Sequence, residues 1–558
     1  MGPRHVSARA VRGIAAASGL IAVLTLLARV VGFGRWLTFS GQVGAGCVGT
    51  AYAAANTVPN VLYEVAAGGA LAAVAVPVVA GYLADDDHDR ADQVVSALLT
   101  WACVVLVPLA MVLAFVAAPV AGFLLPDEAC ASQRELATRM LWWFAPQIPL
   151  YGIGVVAAGA LQARRRFAWP ALVPLLSSLV VIAAYVAYGR MAPPGATGAT
   201  LPDGAVAALA GGTTLGVVTL SLPLLVPLWR SGARLCPTLR LPDDAGRRVR
   251  RLAVAGIIAL LAQQVAVLAT VWIADHRGGT GVLNVYQYVQ AVYVLPYAVL
   301  AVPVATAVLP SLTQRGGQRA PVTPELSARL GRSVRVVALS GSLGAAVLVA
   351  AAPAVGRFFA TIDAGRHHGQ GPDLATSVDL GLTSFAPGLL GYGLVALLTR
   401  ALYVRGRPSV AARWTAAGWL LAAAVPFVLT AGSATAGSTI TALGVASSVG
   451  MTVAGAGLLA AVRRAWGTAT TAGLTRTVAG AALAIPVAGV AGRLATAWWP
   501  TAGMPGTADA GGVAGPVALG VASGVVALAV WLGAAAALDR VGVRALVGAV
   551  RGAVRQGG

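Results

Sequence analysis

Apolar segments long enough to cross a membrane recur along the whole chain. A spanning helix needs about 20 predominantly apolar residues, and we count about 14 such segments. They start near residues 13, 46, 93, 136, 168, 204, 252, 280, 336, 377, 409, 436, 477 and 514. Of the 558 residues, 58% are hydrophobic and only 10% are charged. The sequence therefore predicts an all-α polytopic membrane protein with about 14 transmembrane helices.

The arginines are distributed unevenly between the two sides that this topology defines. Lys+Arg number 39 against 19 Asp+Glu, a net charge of +20. Most of the arginines lie in the two tails and in alternate loops, such as 230–251 and 315–335. The positive-inside rule predicts that both termini of this multi-pass protein are cytoplasmic. We expect the membrane to be the inner (cytoplasmic) membrane. Membrane topology thus explains the positive charge, and we predict no nucleic-acid partner. Attraction of the arginines to membrane lipids is a secondary effect.

A faint internal repeat divides the chain into two halves. Pro77 and Pro310 end similar segments 233 residues apart, and Arg164 and Arg405 end another similar pair 241 residues apart. Each half then has six helices, so the two repeats have the same orientation in the membrane. We predict an N-terminal six-helix bundle at 1–229, a cytoplasmic linker at 230–251, a C-terminal six-helix bundle at 252–465, and two extra transmembrane helices with a basic tail at 466–558.

Two arginines lie inside the first apolar segment, at Arg29 and Arg35 in LLARVVGFGRW. Charged side chains within membrane segments usually face a water-filled cavity and mark a substrate path. On a straight helix these two would lie about 120° apart and roughly 9 Å along the axis. Gly32 and Gly34 would let the helix kink or unwind, so that both arginines converge on one anionic group. The alternative is that either side chain snorkels to the membrane interface.

Further polar residues interrupt the apolar segments. Asn56, Asn60 and Tyr63 are spaced to share one helical face, and Gln287 and Gln290 share another. We predict that they line the same cavity as the arginines. Ordinary hydrogen bonds between membrane helices are the alternative explanation.

The sequence contains no pattern typical of an enzyme or a metal site. The four cysteines and five histidines lack metal-binding spacing, and no nucleophile, base and orienting group come together. We therefore expect no metal, no cofactor and no enzymatic activity. Cys47 and Cys130 both fall near the external side and could pair, but we expect them to remain unpaired. The candidates for ion coupling are Glu64, Asp275 and Asp379, which form no carboxylate cluster in the sequence.

At these residues the chain resembles the MurJ/MviN family of lipid II flippases, within the multidrug, oligosaccharidyl-lipid and polysaccharide exporter superfamily. The matching segments are RVVGFGR from Arg29 (family RxxGFxR), VPNVL from Val58 (LPNLL), RRFAWPALVP from Arg165 (NRFxxPAxxP), PYAVLAVPVATAVLPSL from Pro296 (PxGxxGxxxxTxxLPxL) and TRALYVRGRPS from Thr399 (SRAFYAxxDTRTP). The likeness extends over most of the chain, and the combination of motifs is specific to this family.

The resemblance implies a function. The family carries an undecaprenyl-diphosphate-linked peptidoglycan precursor across the membrane by alternating access, with first-helix arginines on the diphosphate. The resemblance assigns Arg29 and Arg35 to the diphosphate. With the polar residues chosen from their positions in the apolar segments, the predicted substrate-binding residues are Arg29, Arg35, Asn56, Asn60, Tyr63, Gln290 and Arg400, with Arg400 guiding the substrate near the cytoplasmic mouth. The implied partners are a lipid-linked diphosphate glycan, membrane lipids and cell-wall synthesis proteins.

Several positions depart from the family pattern. Thr50 stands where the family has an aspartate, Tyr63 and Glu64 replace paired arginines, Gly68 replaces a glutamate, and Ala291 replaces an arginine. These departures leave two alternatives open. The chain could export another polyprenyl-linked glycan, or it could be a transport-inactive scaffold for cell-wall synthesis.

Overall fold

The computed structural model describes residues 8–65, 72–126, 130–301, 303, 312, 321–364, 371–432, 434–497 and 512–557. Within these residues all regular secondary structure is helical. Eleven helices are long and apolar enough to cross a membrane, or twelve if the bent pair Leu374–Phe385 and Gly388–Val404 is one span. The predicted all-α, multi-pass membrane fold is thus confirmed. The count of 14 stays a prediction, because the segments starting near residues 46 and 280 include residues outside the described ranges.

The first half of the chain contains eleven described helices, several of them short pieces of one span. They are α1 (Ala8–Gln42), α2 (Cys47–Tyr63), α3 (Ala72–Ala84), α4 (His88–Phe115), α5 (Ala117–Leu124), α6 (Gln133–Phe144), α7 (Gln147–Ala163), α8 (Ala168–Met191), α9 (Asp203–Val206), α10 (Gly212–Ser221) and α11 (Leu225–Trp229). A π-helical turn at Ala207–Gly211 joins α9 to α10.

The second half begins with α12, which starts at Asp243 and therefore inside the predicted 230–251 linker. Its described helices are α12 (Asp243–Ile273), α13 (Val282–Pro296), α14 (Pro324–Asp363), α15 (Leu374–Phe385), α16 (Gly388–Val404), α17 (Pro408–Leu429), α18 (Ala436–Trp466), α19 (Leu474–Ala497), α20 (Ala514–Leu538) and α21 (Arg540–Gly557). Further π-helical turns follow α12 and α13, at Ala274–Gly278 and Tyr297–Ala301. How the helices divide into bundles stays a prediction.

Several helices begin at residues that satisfy their free backbone N–H groups. Asp87 accepts a hydrogen bond from the backbone of Arg90 at the start of α4, and Thr323 accepts one from Leu326 at the start of α14. Thr435 and Ser438 form a reciprocal capping box at the start of α18. Such caps fix where these three helices start.

The two halves share one hydrophobic cluster at the end of the molecule that contains Cys47, which we call the Cys47 end. Phe39 of α1 lies 6.3 Å from Tyr288 of α13, measured between ring centroids, and Tyr288 stacks on Phe359 of α14 at 4.8 Å. Away from this end the halves have separate clusters, one around Val94 and Leu161 and the other around Leu330 and Trp466. The halves therefore share a hydrophobic core at the Cys47 end and have separate hydrophobic clusters elsewhere, although α3 and α12 also touch.

Polar contacts join the halves at the Cys47 end as well. The backbone N–H of Gly281 donates to the Thr50 hydroxyl at 2.8 Å, and the Asn284 side chain donates to the carbonyl of Gly49 at 3.1 Å. Gly281 has a φ of +88°, and a Cβ there would lie 2.3 Å from the carbonyl oxygen of Ala45. Glycine is required at this position both for its conformation and for the close approach of the two backbones.

Cys47 and Cys130 form a disulfide, with Cα atoms 6.0 Å apart. The expectation that they remain unpaired is therefore wrong. They are 83 residues apart in sequence, and the N-terminus of α2 packs against the start of α6, where Gln133 donates to the carbonyl of Cys47. That packing could not be read from the spacing of the cysteines.

The segment that connects the halves is bound along one side of α4. Backbone N–H groups of Arg234, Cys236 and Thr238 donate to side chains of α4: to Asp92 at 2.8 Å, to Ser96 at 3.1 Å and to Thr100 at 3.1 Å. The acceptors on α4 are four residues apart, which on a helix is a rise of about 6 Å. The donors are two residues apart, which in an extended segment is about 6.7 Å, so each donor meets the next acceptor along the helix. The connection is thus docked on the first half.

Candidate functional site

A cavity of about 620 Å³ lies between the two halves. Its walls come from α1, α2, α7, α8 and α10 on one side and from α13 on the other. Of the seven substrate-binding residues predicted from the sequence, five line it: Arg29, Arg35, Asn56, Asn60 and Gln290. Residues far apart in the sequence are thereby brought to one space.

The cavity is positively charged. Among its lining residues Arg29 and Arg35 are the charged side chains, and the described lining includes no carboxylate. Arg29 is exposed and Arg35 is half-buried. In the described part of the chain neither guanidinium forms an ion pair. The donors of both arginines therefore remain available to an anionic ligand.

The route by which the two arginines reach one space differs from the predicted one. Helix α1 is uninterrupted across Gly32 and Gly34, so it does not unwind there, and a kink at these glycines stays a prediction. A Cβ at either glycine would meet nothing within 4 Å. The arginines line the same cavity because it extends along α1 for at least the roughly 9 Å that separates their positions.

The wall formed by α2 and α7 is held by a chain of polar and ring contacts. The Tyr151 hydroxyl donates to Asn60 at 3.1 Å, and the Asn60 side chain donates to the carbonyl of Asn56 at 2.9 Å. Tyr63 does not line the cavity; its ring packs on Tyr151 with centroids 4.5 Å apart. Asn60 and Tyr63 therefore position the wall, while the Asn56 amide faces the cavity without a hydrogen bond to the described residues.

The second half contributes one helix, α13. Gln287 and Gln290 both line the cavity, as their shared face predicted, and the Gln290 amide donates to the Tyr286 hydroxyl at 3.2 Å. Arg400 does not line the cavity. It lies half-buried on α16, and its Nη1 has no hydrogen-bond partner among the described residues.

Three hydroxyl residues of the cavity wall were not identified from the sequence. The Tyr52 hydroxyl lies 2.9 Å from that of Tyr185 and 3.0 Å from that of Thr213. These residues come from α2, α8 and α10. Tyr52 is 133 residues from Tyr185 and 161 residues from Thr213 in the sequence, so their contact could not be predicted from the sequence. The available signal was the polar pair Thr213 and Thr214 within an otherwise apolar segment.

The three candidates for ion coupling have different surroundings. Asp379 forms an ion pair with Arg493 at 2.5 Å, so its charge is compensated within the protein. Glu64 is half-buried at the end of α2. Asp275 is buried in the π-helical turn after α12, and neither of its carboxylate oxygens has a hydrogen-bond partner in the described residues. Burial without a partner is costly for a carboxylate, so Asp275 is the candidate that the packing leaves unexplained.

The family model for "Lipid II flippase MurJ" matches residues 39–510. The chain belongs to the MurJ family. It is 28% identical over 398 residues to a lipid II flippase MurJ of Burkholderia cenocepacia, covering 68% of this chain and 71% of that protein. It is 24% identical over 401 residues to a probable lipid II flippase MurJ of Haemophilus influenzae, covering 68% and 74%.

Solved structures show the same fold. A structure titled as lipid II flippase MurJ in an inward closed conformation matches with a TM-score of 0.70 and 15% identity, covering 93% of this chain and 99% of that one. An inward-facing multidrug MATE transporter matches with a TM-score of 0.62 and 14% identity, covering 81% and 99%.

Three observations relate the MurJ match to the residues of the site. The matched range begins after Arg29 and Arg35, so their assignment rests on the RxxGFxR motif and on the cavity. Thr50, which stands where the MurJ pattern has an aspartate, binds the backbone of Gly281 and joins the halves. Ala291, in place of an arginine, lines the cavity. The described lining of the cavity thus holds two cations, Arg29 and Arg35.

Proposed function

We propose that this protein is a lipid II flippase, which moves a polyprenyl-diphosphate-linked peptidoglycan precursor across the cytoplasmic membrane by alternating access. Family membership and the printed names of the relatives support this assignment. The observation that carries it is the cavity between the halves, which holds two arginines and no described carboxylate.

The arginines suit a diphosphate. A guanidinium presents planar, forked donors that bind two phosphate oxygens at once. Arg29 and Arg35 line the same cavity, and their long side chains let both guanidinium groups reach a diphosphate bound between them. A cavity of about 620 Å³ accommodates the diphosphate with part of the glycan, while the polyprenyl chain stays in lipid. Asn56, Gln287 and Gln290 supply amide groups that can bind sugar hydroxyls.

Alternating access requires that the contacts between the halves break at one end and form at the other. In this conformation the halves meet at the Cys47 end, through Thr50, Gly281 and Asn284. The substrate would therefore enter from the opposite end, which we assign to the cytoplasm. Release would require those contacts to separate.

The orientation in the membrane has two independent supports. Arginine-rich tails and loops favour cytoplasmic termini. Disulfides persist in oxidising compartments, so the Cys47–Cys130 bond favours an external Cys47 end. In a variant with Cys103 and Cys236 replaced by serine, single cysteines at 195–203 should react with an impermeant maleimide, and those at 238–246 should not. Labelling of 238–246 in intact cells would reverse the assignment.

The function is tested by an Arg29→Ala, Arg35→Ala double variant. It should insert and melt like the parent, yet lose binding of a polyprenyl-diphosphate glycan and fail to rescue a strain depleted of its flippase. Charge-assisted hydrogen bonds contribute about 1.5 to 3 kcal/mol each, so binding should weaken at least a hundredfold. The matched control is Arg463→Ala, Arg464→Ala, which removes two exposed arginines from the end of α18. Equal binding by the parent and the cavity variant would overturn the proposal.

The departures from the family's charges favour a second candidate, a transport-inactive scaffold that recruits cell-wall synthesis proteins. Complementation separates the two, because a scaffold cannot replace the depleted flippase. An exporter of another polyprenyl-linked glycan would also fail to complement, but it would still bind a polyprenyl diphosphate through Arg29 and Arg35.

A further inference from the structure

The last helix, α21, differs from the spanning helices before it. Asp539 leaves the helical conformation between α20 and α21, with φ −139° and ψ 69°. Its carboxylate accepts a hydrogen bond from the backbone of Gly542 at 2.8 Å and another from the Thr477 hydroxyl at 2.5 Å. The start of α21 is therefore fixed to α19, and the chain does not continue along the axis of α20.

Arginines recur along α21 with a regular spacing, at 540, 544, 551 and 555. On a helix with 3.6 residues per turn, spacings of four, seven and four residues keep all four positions within about 60° around the axis. Such a narrow basic stripe is typical of a helix that lies on a membrane surface rather than across it.

The sides of α21 away from the stripe are apolar. Leu546 is only 6% exposed and packs in a cluster with Leu339 and Trp531, which fixes the helix against α14 and α20. Val541 is 64% exposed and lies beside the stripe, and Val547 is 36% exposed. Exposed valines next to arginines match the boundary between lipid headgroups and acyl chains.

Neighbouring elements extend the positive charge. Leu339 of α14 lies against Gly542, and one helical turn earlier Arg335 lies against Gly473, which precedes α19. Arg476 is exposed in the first turn of α19. Three elements thus place arginines around the start of α21, which concentrates positive potential on one surface.

We propose that α21 and these neighbouring arginines form a binding surface for anionic phospholipids, with Arg540 and Arg544 on the headgroup phosphates and the exposed valines at the acyl boundary. The commitment to lipid follows from charge complementarity together with the apolar flank, which a soluble anion would not use. This surface is separate from the cavity between the halves and is independent of what the cavity transports.

The test measures hydrogen exchange of residues 540–557 in the full-length protein, reconstituted in lipid nanodiscs. Exchange should be slower in discs with about one third phosphatidylglycerol than in pure phosphatidylcholine, by about fivefold for each arginine at the surface. Arg540→Gln, Arg544→Gln should remove most of that difference. The matched control, Arg463→Gln, Arg464→Gln, removes the same charge from the end of α18 and should keep it.

Two further arms distinguish the source of the phosphate and guard against misfolding. Inorganic phosphate added to phosphatidylcholine discs should give no protection; protection equal to that from phosphatidylglycerol would overturn the assignment to lipid. The assignment would also be overturned if the parent exchanged at the same rate in both kinds of disc. The same holds if the control variant lost the difference between the discs as fully as the Arg540→Gln, Arg544→Gln variant does. If the double variant melts below the parent, the Arg544→Gln single variant, whose residue is exposed, replaces it.

Discussion

The arginines of the cavity and the arginines at the edges of the bundle differ in their partners. Arg29 and Arg35 line the cavity without an ion pair among the described residues. Arg164 pairs with Asp92, and the two side chains are only 10% and 11% exposed. Arg493 pairs with Asp379, with 32% and 25% exposed.

The presence or absence of a carboxylate partner distinguishes arginines that stabilise the fold from arginines that can bind a ligand. A buried arginine with a carboxylate partner is compensated, and removing either partner leaves the other charge in a place of low polarity. An arginine that faces a cavity without a partner is stabilised by water until a ligand displaces it. The fold therefore depends on the paired arginines, and the proposed transport depends on the unpaired ones.

The largest effect on stability is expected from Asp92→Ala. It leaves the Arg164 guanidinium buried without its partner and removes the acceptor for the backbone N–H of Arg234. We expect the free energy of unfolding to fall by about 3 to 5 kcal/mol. Thermal melting in detergent measures this loss. Asp89→Ala, an exposed carboxylate one turn earlier on α4, is the control and should melt like the parent.

A smaller loss is expected from Arg493→Leu. Asp379 stays partly exposed and keeps a hydrogen bond from Thr383 at 3.1 Å, so its charge is less costly to leave behind. We expect about 1 to 3 kcal/mol. Adding Asp379→Leu should restore part of the stability, because no unpaired charge then remains. If the double variant loses more free energy of unfolding than the two single variants together, the ion pair with Asp379 does not explain how Arg493 stabilises the protein.

Much of the fold was predictable from the sequence. Long apolar segments specify membrane helices, because the backbone must satisfy its hydrogen bonds internally. Arg29 and Arg35 could be assigned to a cavity since few other places in a membrane tolerate charge. Gln287 and Gln290 were found through their spacing on one helical face.

Contacts between distant segments could not be predicted in the same way. The sequence shows neither that Cys47 meets Cys130 nor that Tyr52 meets Tyr185, because each contact depends on how helices pack in three dimensions. It also does not show that Asp379 is paired with Arg493, which lies 114 residues later on an added helix. Lone polar residues in apolar segments thus indicate a buried or functional role without saying which.

The smallest and most specific effect is expected from Arg35→Lys. Lysine keeps the charge but lacks the planar fork, so a residue that binds a diphosphate with two parallel hydrogen bonds should lose about one of them. We expect binding of a polyprenyl-diphosphate glycan to weaken by about tenfold, or ~1.4 kcal/mol, with an unchanged melting temperature. Titration of the purified protein with the lipid measures the binding.

The same substitution at Arg164 reverses this pattern and completes the comparison between the two kinds of arginine. Arg164→Lys should lower the melting temperature, because the shorter, single-headed donor cannot reproduce the contact with Asp92, yet it should leave binding unchanged. If Arg35 is instead a snorkelling anchor, lysine reaches the interface as well as arginine does, and neither binding nor melting changes. Unchanged binding by Arg35→Lys, together with unchanged binding by Arg35→Ala, would therefore assign Arg35 to the membrane interface and leave Arg29 as the cation of the cavity.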